Sequence, residues 1–298
     1  MKYIFIVNPT SGKGKSLRFV PLIENYFKNN DKKYEIIYTE YPKHATEIAK
    51  RYTAEDNVIL YGVGGDGTTK EILDGIDLSV RLGVIPGDTG NDFFKSIDTD
   101  KRTDEEILKA SIEGEDINLD FGLFNGQSRF LNIASFGLDA AINVYANEVA
   151  KKKKTIIPDK FIYFYSIFKA GLKPERYHFK MTVDGKVYEE ETILVAVSNG
   201  RFYGGMFNAF PDANLDDGIF DLCYFRPMKL STMIGLIGKY AKGTHKNEKE
   251  CTCFTGKEVY IEFDREIPVQ IDGENKLVKE VHIEMNKGRL KFRAPRFN

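Results

Sequence analysis

The chain has 298 residues, of which 42% are hydrophobic and 29% are charged. It is therefore longer than one domain usually is and has enough apolar residues for packed cores. Its 43 Lys and Arg residues nearly balance 44 Asp and Glu residues, leaving a formal charge of −1, which excludes a uniformly basic surface for nucleic acid. No run approaches the roughly 18 apolar residues of a membrane span, no signal peptide is present, and three cysteines exclude a disulfide framework. We expect a cytoplasmic protein of two domains.

The N-terminal third alternates short β-rich runs with helical patterns. The predicted strands cover residues 3–7, 34–38, 57–63 and 82–85, and the predicted helices begin near Ser16, His44 and Thr68. Strands that alternate with helices pair in parallel through right-handed crossovers. The pattern therefore predicts an open, parallel, Rossmann-like α/β sheet.

After about residue 115 the pattern changes, and strand-like runs dominate. These runs cover residues 130–133, 179–183, 192–197, 219–225, 259–263, 269–271, 281–285 and 290–292. Asp184-Gly185 lies between two β-rich runs and predicts a tight hairpin turn. Only residues 137–172 and 229–242 have a helical pattern, and the second helix is interpreted as a core or homodimer contact. A second domain that is an antiparallel β-sandwich follows.

Three glycine-containing loops, at residues 8–15, 61–68 and 86–93, each follow a predicted parallel strand. Backbone N–H groups in such loops, and the helix N-termini behind them, bind phosphate groups. Asp66 lies inside the second loop, where a carboxylate beside a phosphate requires an intervening cation such as Mg²⁺. Because the carboxyl ends of parallel strands share one edge of a sheet, we expect the three loops to form one site for nucleotide and metal.

Two other phosphate-binding motifs are alternatives to this interpretation. Gly62-x-Gly64-x-x-Gly67, with Asp88 further on, satisfies a dinucleotide-binding fingerprint, but it follows the third strand rather than the first and contains an acid. Gly14-Lys15-Ser16 resembles the end of a P-loop, yet Pro9 occupies the position of its first glycine. We reject the P-loop and disfavour the dehydrogenase interpretation.

The three loops, taken with two later turns, are recognisable as a set. Together they resemble the diacylglycerol kinase catalytic-domain family, and in particular its bacterial soluble lipid kinases, through Asn8-Pro-x-Ser11-Gly12, Gly64-Gly-Asp-Gly-Thr68, Asp88-Thr-Gly-Asn-Asp92, Asn214-Leu-Asp-Asp-Gly218 and Ile271-Asp-Gly-Glu274. The resemblance implies an ATP-binding α/β domain over residues 1–120 and a β-sandwich acceptor domain over 121–287. It also implies that residues 288–298 return to the first domain.

The same resemblance implies ATP and Mg²⁺ as cofactors and assigns roles to residues. Asp66 is the candidate for Mg²⁺–phosphate contact, supported by Asp92 and Asp120 in a charged network. Asp272 is the candidate general base for the acceptor hydroxyl, and Glu274 competes for that role. The residues implied to contact ATP are Asn8, Pro9, Thr10, Ser11, Gly12, Thr39, Gly64, Gly65, Asp66, Gly67, Thr68, Thr69, Lys70, Glu71, Thr89 and Asn91.

A second, structural Mg²⁺ is implied beside the Asp217 side chain, with the carbonyl groups of Asn214 and Ile219 as further ligands. Without the resemblance, residues 216–218 would be interpreted as an ordinary Asp-Gly turn. Two residues depart from the family pattern, Asp88 for a glycine and Lys70 for an asparagine. Their effect on ATP binding is left open. Asp88 either faces the phosphates, where its charge would weaken binding, or faces solvent. Lys70 opposes the dipole of its helix but could instead reach a phosphate.

Two further segments have alternative interpretations. Four lysines at 151–154 precede an aromatic run at 161–168, which either docks on an anionic membrane surface or packs in the core behind a solvated basic turn. Cys251-x-Cys253 is interpreted as core or surface thiols rather than a metal site, because no second cysteine pair or clustered histidine accompanies it.

We therefore predict a Mg²⁺-dependent kinase that phosphorylates a lipid hydroxyl of the diacylglycerol type at the membrane surface. The alternatives are an NAD kinase-like enzyme with a nucleotide acceptor, or a non-catalytic regulator that binds lipid or nucleotide. The lipid species, the oligomeric state and the location of residues 151–168 stay open.

Overall fold

The computed structural model describes residues 1–151, 166, 169–172, 174–205 and 207–297. Most of the lysine- and aromatic-rich segment at 151–168 lies outside the described residues. None of the helices in the described ranges combines the length and apolarity that crossing a bilayer requires.

The N-terminal part is a parallel α/β unit, as predicted. Its strands lie in the order β2-β1-β3-β4 and all pair in parallel. The elements are β1 (Lys2–Val7), α1 (Phe19–Lys28), β2 (Lys33–Tyr38), α2 (His44–Ala49), β3 (Val58–Gly64), α3 (Asp66–Gly75), β4 (Arg81–Pro86), α4 (Asp92–Ile97) and α5 (Asp104–Ile112). The sequence prediction missed α4 and α5. A capping box starts α5, in which the Glu106 N–H donates to Thr103 Oγ1 and the Thr103 N–H donates to the Glu106 carboxylate.

The remaining elements form the predicted antiparallel, sandwich-like part. They are β5 (Glu115–Phe124), β6 (Ser128–Phe130), β7 (Ile133–Gly137), α6 (Leu138–Lys151), β8 (Tyr177–Val183), β9 (Lys186–Thr192), β10 (Leu194–Ser198), β11 (Phe220–Phe225), α7 (Leu230–Ala241), β12 (Cys251–Gly256), β13 (Glu258–Ile271) and β14 (Glu274–Ala294). Residues 259–263 and 269–271 were predicted as two strands but belong to the continuous β13. Residues 281–285 and 290–292 likewise belong to β14.

One strand connects the two parts. The antiparallel partners of β14 are β13 and β5, and near its end Phe292 pairs in parallel with Leu82 of β4. Within the described residues the strands therefore form one 14-stranded sheet, with main order β12-β11-β10-β7-β13-β14-β4-β3-β1-β2. Leu290 and Phe292 are buried in the core of the α/β part, so the C-terminal strand packs with the first domain.

The active-site elements lie at the junction that β14 creates. The carboxyl ends of β3 and β4 face the turn between β13 and β14, and residues from all three lie around one cavity. Apolar residues of the strands β7, β8, β10, β11 and β13 form a separate core within the sandwich. The two cores therefore lie on opposite sides of the site.

Candidate active site

The loops that follow β1, β3 and β4 converge at the carboxyl edge of the parallel strands, as the sequence predicts. Gly12 has φ of +58°, and a Cβ at this position would lie only 2.9 Å from the Gly87 carbonyl oxygen. Asn8 Nδ2 donates a hydrogen bond of 3.1 Å to Thr68 Oγ1, which joins the first loop to the second. The glycines are therefore required because backbones of different loops are in contact.

The unusual Asp88 has a definite place in this arrangement. Its Oδ2 accepts a 3.0 Å hydrogen bond from Ser11 Oγ, and its Oδ1 accepts one of 2.6 Å from the Thr89 N–H. A Cβ on Gly65 would lie 2.7 Å from Asp88 Oδ2. The carboxylate thus holds the first and third loops together while it also lines the cavity.

Asp66 begins α3 and lies directly before the first turn of α4. Its carboxylate accepts hydrogen bonds from the N–H groups of Asp92 (2.9 Å) and Phe93 (3.1 Å). Burial, together with the negative charges of Asp92 and Asp272, raises the pKa of Asp66 to about 7 against the effect of the two N–H donors. Carboxylates crowded in this way repel one another. Their oxygen atoms are the donor type that Mg²⁺ prefers, so the cluster fits that cation.

Asp92 is buried and connects the cleft to the second domain. Its carboxylate accepts hydrogen bonds of 2.8 and 3.1 Å from the Gly205 N–H. Lys95 Nζ lies 3.4 Å from Asp92 Oδ1 and donates to the Gly205 carbonyl oxygen. Asp92 therefore positions the segment around Gly205 against α4.

Asp272 lies in the turn between β13 and β14, where its φ of +45° and that of +92° at Gly273 reverse the chain. Its carboxylate accepts hydrogen bonds from the N–H groups of Leu131 (2.7 Å), Asn132 (3.1 Å) and Ile133 (2.9 Å). Burial raises the pKa of Asp272 to about 6 in spite of these donors. The side chain is thus held rigidly and is largely ionised at neutral pH.

Lys70, the second departure from the family pattern, is fully buried. Its ammonium group pairs with Asp74, donates a 2.9 Å hydrogen bond to Ser128 Oγ and lies 3.9 Å from Glu274 Oε2. These partners lie on α3, β6 and β14, so Lys70 joins the two domains. Its positive charge lowers the pKa of Asp272 against the effect of burial.

A cavity of about 370 Å³ brings these groups together. Its lining residues are Asp66, Gly67, Glu71, Asp88, Gly90, Asn91, Asp272, Gly273 and Glu274. A Cβ on Gly67 would meet no atom within 4 Å, so the first turn of α3 is open to the cavity. The cavity can therefore admit a phosphate chain against the backbone of α3, with carboxylates on the facing wall.

Other residues implied to contact ATP lie around or beneath the same loops. Thr39 follows β2, where its N–H donates to the Val7 carbonyl oxygen. Thr69 is buried, and its hydroxyl group donates to the Gly65 carbonyl oxygen. Glu71 lines the cavity and accepts a 3.3 Å hydrogen bond from the Ala45 N–H. Thr10, whose N–H and hydroxyl group both donate to Asn8 Oδ1, is exposed at the loop surface.

Asp120 lies on β5 beside β14, and its expected place in a charged network with Asp66 stays a prediction. Its buried carboxylate accepts 2.6 Å hydrogen bonds from the Gly218 and Gly288 N–H groups, and it is absent from the cavity lining. Burial raises the pKa of Asp120, and the charge of Asp217 adds to that effect.

The turn that contains Asp217 does not line the cavity that contains Asp66 and Asp272. Asp217 Oδ1 accepts a 3.1 Å hydrogen bond from the Ile219 N–H, and its carbonyl oxygen accepts one from Lys287 Nζ. Asn214 is exposed at the start of the turn. The carboxylates of Asp120 and Asp217 and the carbonyl groups of the turn offer only oxygen atoms as ligands, which fits a hard cation. The second Mg²⁺ stays a prediction.

Sequence reasoning missed an apolar cavity of about 60 Å³ under α7. Tyr203 and Phe207, which pair with each other across a short bridge around Gly205, line it. Asp139 also lines it, and burial raises the pKa of this carboxyl group to about 7 against hydrogen bonds from Tyr203 and Ser135. The segment around Gly205, whose N–H donates to Asp92, connects this cavity to the cleft.

Comparison with known families agrees with this geometry. A family model described as the diacylglycerol kinase catalytic domain matches residues 2–124, and one described as YegS C-terminal NAD kinase beta sandwich-like domain matches residues 132–292. The chain belongs to the diacylglycerol kinase family of lipid kinases. This lipid kinase is 28% identical over 298 residues to a diacylglycerol kinase of Bacillus subtilis, with 95% of each chain covered. It is 29% identical to one of Staphylococcus carnosus, over 90% of this chain and 87% of the other.

Solved structures agree as well. A diacylglycerol kinase from Bacillus anthracis superposes on this lipid kinase with a TM-score of 0.71 and 25% identity, covering 98% of this chain and 96% of that one. An NAD kinase from Archaeoglobus fulgidus in complex with ATP gives a TM-score of 0.53 at 15% identity, covering 98% and 93%. The second likeness establishes the shared fold alone. The interpretation of the chain as a kinase is confirmed, and that of a non-catalytic regulator is not supported.

Proposed function

We propose that this lipid kinase transfers the γ-phosphoryl group of ATP to the hydroxyl group of a diacylglycerol-like lipid, with Mg²⁺ as cofactor. The observation that carries the proposal is the single cavity in which Asp66 and the glycine loops face Asp272 and Glu274 from the second domain. A phosphate donor and a proton acceptor on opposite walls are what transfer to an alcohol requires.

In the proposed mechanism the backbone of the three loops and the first turn of α3 bind the phosphate chain of ATP. The side chains of Asn8 and Thr68, hydrogen-bonded to each other, keep the first two loops at a fixed separation. Asp66 is the proposed Mg²⁺ ligand, and bound Mg²⁺ supplies electrophilic stabilisation of the charge on the phosphate oxygens. Asp92 keeps the Gly205 segment in place and does not contact the transferred group.

Asp272 is the proposed general base. As the lipid oxygen bonds to the γ-phosphorus, its proton passes to the Asp272 carboxylate, and the bond from the γ-phosphorus to the bridging oxygen breaks to release ADP. A pKa of about 6 favours this role, because the group is mostly ionised near pH 7 and is still basic enough to accept a proton. Glu274, 3.9 Å from the Lys70 ammonium group, is the alternative base.

The apolar cavity beneath α7 supports a lipid acceptor. It is bounded by side chains such as Leu138, Ile142, Phe207 and Met233, and the bridge between Tyr203 and Phe207 places it next to the Asp92 contact. Apart from Asp139, Tyr203 and Tyr240 the lining is apolar, which suits an acyl chain better than a nucleotide. We propose that part of an acyl chain enters here, while the protein meets its lipid at the membrane surface through the lysine- and aromatic-rich sequence at 151–168.

The test is a phosphorylation assay with labelled ATP and Mg²⁺, in which mixed micelles of diacylglycerol, monoacylglycerol, phosphatidylglycerol, a sphingoid base or undecaprenol are compared with NAD. We expect label in a lipid of the diacylglycerol class and loss of transfer when Mg²⁺ is chelated. Label in NAD alone would favour the nucleotide kinase alternative, and label in no acceptor would refute the proposal.

A further inference from the structure

Three cysteines and one histidine that are far apart in the sequence meet at the edge of the sandwich sheet. In the antiparallel pair of β11 and β12, Cys223 lies directly opposite Cys253. Cys251 lies two residues before Cys253 on β12, so all three side chains project from the same face. His245, in the segment between α7 and β12, completes the group. The one ligand atom that each residue offers lies within 4.8 Å of the other three.

The histidine is buried in a way that its protein neighbours do not explain. His245 has no exposed surface, and its ring lies 5.7 Å from that of Phe225 and 4.8 Å from that of Tyr240. Within the described part of the chain neither ring nitrogen has a hydrogen-bond partner of ordinary geometry, and the Cys253 side chain is the polar group that interacts with the ring. An unpaired buried nitrogen costs about 1–3 kcal/mol, so a further partner for this ring is expected.

We propose that Cys223, His245, Cys251 and Cys253 bind one structural Zn²⁺ ion. In tetrahedral zinc sites the Zn–S bonds are about 2.3 Å and the Zn–N bonds about 2.0–2.1 Å, so the ligand atoms lie about 3.5–3.8 Å apart. The Cys251 and Cys253 sulfur atoms are 3.4 Å apart, and the outer limit of 4.8 Å requires only small rotations of side chains. Thiolate ligands select zinc over Mg²⁺, which prefers oxygen.

The charges around the cluster fit a bound cation with three thiolates. Each thiol gives up its proton on binding, so the complete site has a net charge of −1. Arg226 and Lys246 interact electrostatically with Cys251 and Cys253, respectively. Each cation also pairs with a carboxylate, Arg226 with Glu190 and Lys246 with Asp212. Asp221 on β11 is a further acidic neighbour of Cys253.

The site would connect three elements: the paired strands β11 and β12 and the segment that contains His245. β12 is an edge strand, and the ion would fasten it both to β11 and to the segment that follows α7. Phe225 and Tyr240 contact His245 and also line the apolar cavity. Four protein ligands leave no open position, so the ion has a structural role and holds one wall of that cavity. This inference does not depend on which acceptor the kinase uses.

The first experiment uses the unaltered protein, purified without a metal-binding tag and in the presence of a phosphine reductant. Elemental analysis should find about one zinc per chain after dialysis. Cobalt substitution should produce a thiolate-to-cobalt charge-transfer band. Alkylation followed by mass spectrometry should show all three cysteines protected until a strong chelator is added, and the thermal midpoint should fall on chelation.

The variants His245→Gln and Cys253→Ser test the ligands individually. We expect each to bind zinc at least tenfold more weakly than the unaltered protein. His282→Gln is the matched control, because His282 lies near Glu258 and Glu284 in a more exposed group of similar size and should leave the zinc content unchanged. Equal loss in the control would contradict the assignment.

Two results with the unaltered protein would overturn the proposal whether or not the variants fold. In one, the reduced protein contains no zinc after incubation with a small excess of Zn²⁺, and all three of its thiols are alkylated freely. The other is a mass 2 Da below that of the reduced chain in protein purified without reductant, which would identify a disulfide such as Cys223–Cys253.

Discussion

The substitution Asp272→Asn separates the proposed catalytic role of this carboxylate from its structural role. The side chain accepts hydrogen bonds from three consecutive backbone N–H groups between β6 and β7. An asparagine keeps the shape and one accepting oxygen, but its NH₂ group replaces the other acceptor. Because an amide cannot take a proton from the lipid hydroxyl, we expect kcat to fall by about 10²–10⁴.

The raised pKa of Asp272 makes the free energy of unfolding depend on pH. The pKa of Asp272 is about 6 against an ordinary value of 3.8, which corresponds to about 3 kcal/mol. As the pH rises, the unfolded chain gives up this proton first, so the native protein loses that stability between about pH 4 and pH 6. The free energy of unfolding of the Asp272→Asn variant does not fall in this way between pH 4 and pH 6, because asparagine does not titrate. The variant is destabilised for another reason, since it lacks hydrogen bonds to a charged group that are worth about 1.5–3 kcal/mol each. Above pH 7 the gain and the cost largely offset each other, so the two proteins should have similar stability.

The measurements are urea unfolding at pH 4.5 and pH 8 and the pH dependence of kcat/KM. In the unaltered enzyme kcat/KM should rise with pH through about 6, as Asp272 becomes ionised. The control Glu274→Gln should keep that rise and at least about a tenth of the activity. A folded Asp272→Asn enzyme with kcat within tenfold of the unaltered value would refute the base assignment, and a lost rise in the Glu274 variant would transfer the role to Glu274.

Three further substitutions test the other side of the cleft. Asp66→Asn should keep the fold, because its oxygen can still accept an N–H of α4, but it should lower Mg²⁺-dependent transfer at least about 100-fold; an unchanged Mg²⁺ titration would contradict the proposed ligand. Asp88→Asn removes one charge near the phosphates and should lower the KM for ATP about threefold with kcat unchanged, since such a charge is worth up to about 1 kcal/mol in water; a raised KM in steady-state kinetics would show that the charge holds the loops. Lys70→Met leaves Asp74 and Glu274 without their cation and should lower the free energy of unfolding by about 3 kcal/mol; an unchanged urea midpoint would mean that the buried ammonium group does not stabilise the fold.

The strand and helix pattern in the first third of the chain could be predicted because it is local. The apolar runs that become β1 and β3 are buried along nearly their whole length, and parallel strands bring their carboxyl ends to one edge. The glycines after these strands are required at that edge by close backbone contacts. Asp66 and Asp272 could likewise be assigned to one site, since the motifs that contain them resemble a single family.

The continuity of β13 and β14 could not be predicted, because both strands contain polar stretches that the alternating pattern interprets as breaks. Pairing with β5, β7 and β8 holds these strands on either side of the polar stretches, where the register shifts between Glu262 and Ile267 and between Asn286 and Leu290. The pairing of β5 with β14 also decides which groups contact Asp120. The family motif suggested a network with Asp66, and in the structure the Asp120 carboxylate accepts hydrogen bonds from the Gly218 and Gly288 N–H groups.

The sequence by itself therefore determined the fold class, the three glycine-containing loops and the proposed catalytic carboxylates Asp66 and Asp272, because local periodicity and short motifs encode them. The tertiary structure alone decided which distant groups meet. It directed Lys70 to Ser128 and Glu274 across the junction of the domains and gathered Cys223 and His245 beside Cys251 and Cys253. Such meetings depend on strand register and on the packing of α7, and residue spacing along the chain contains no information about either.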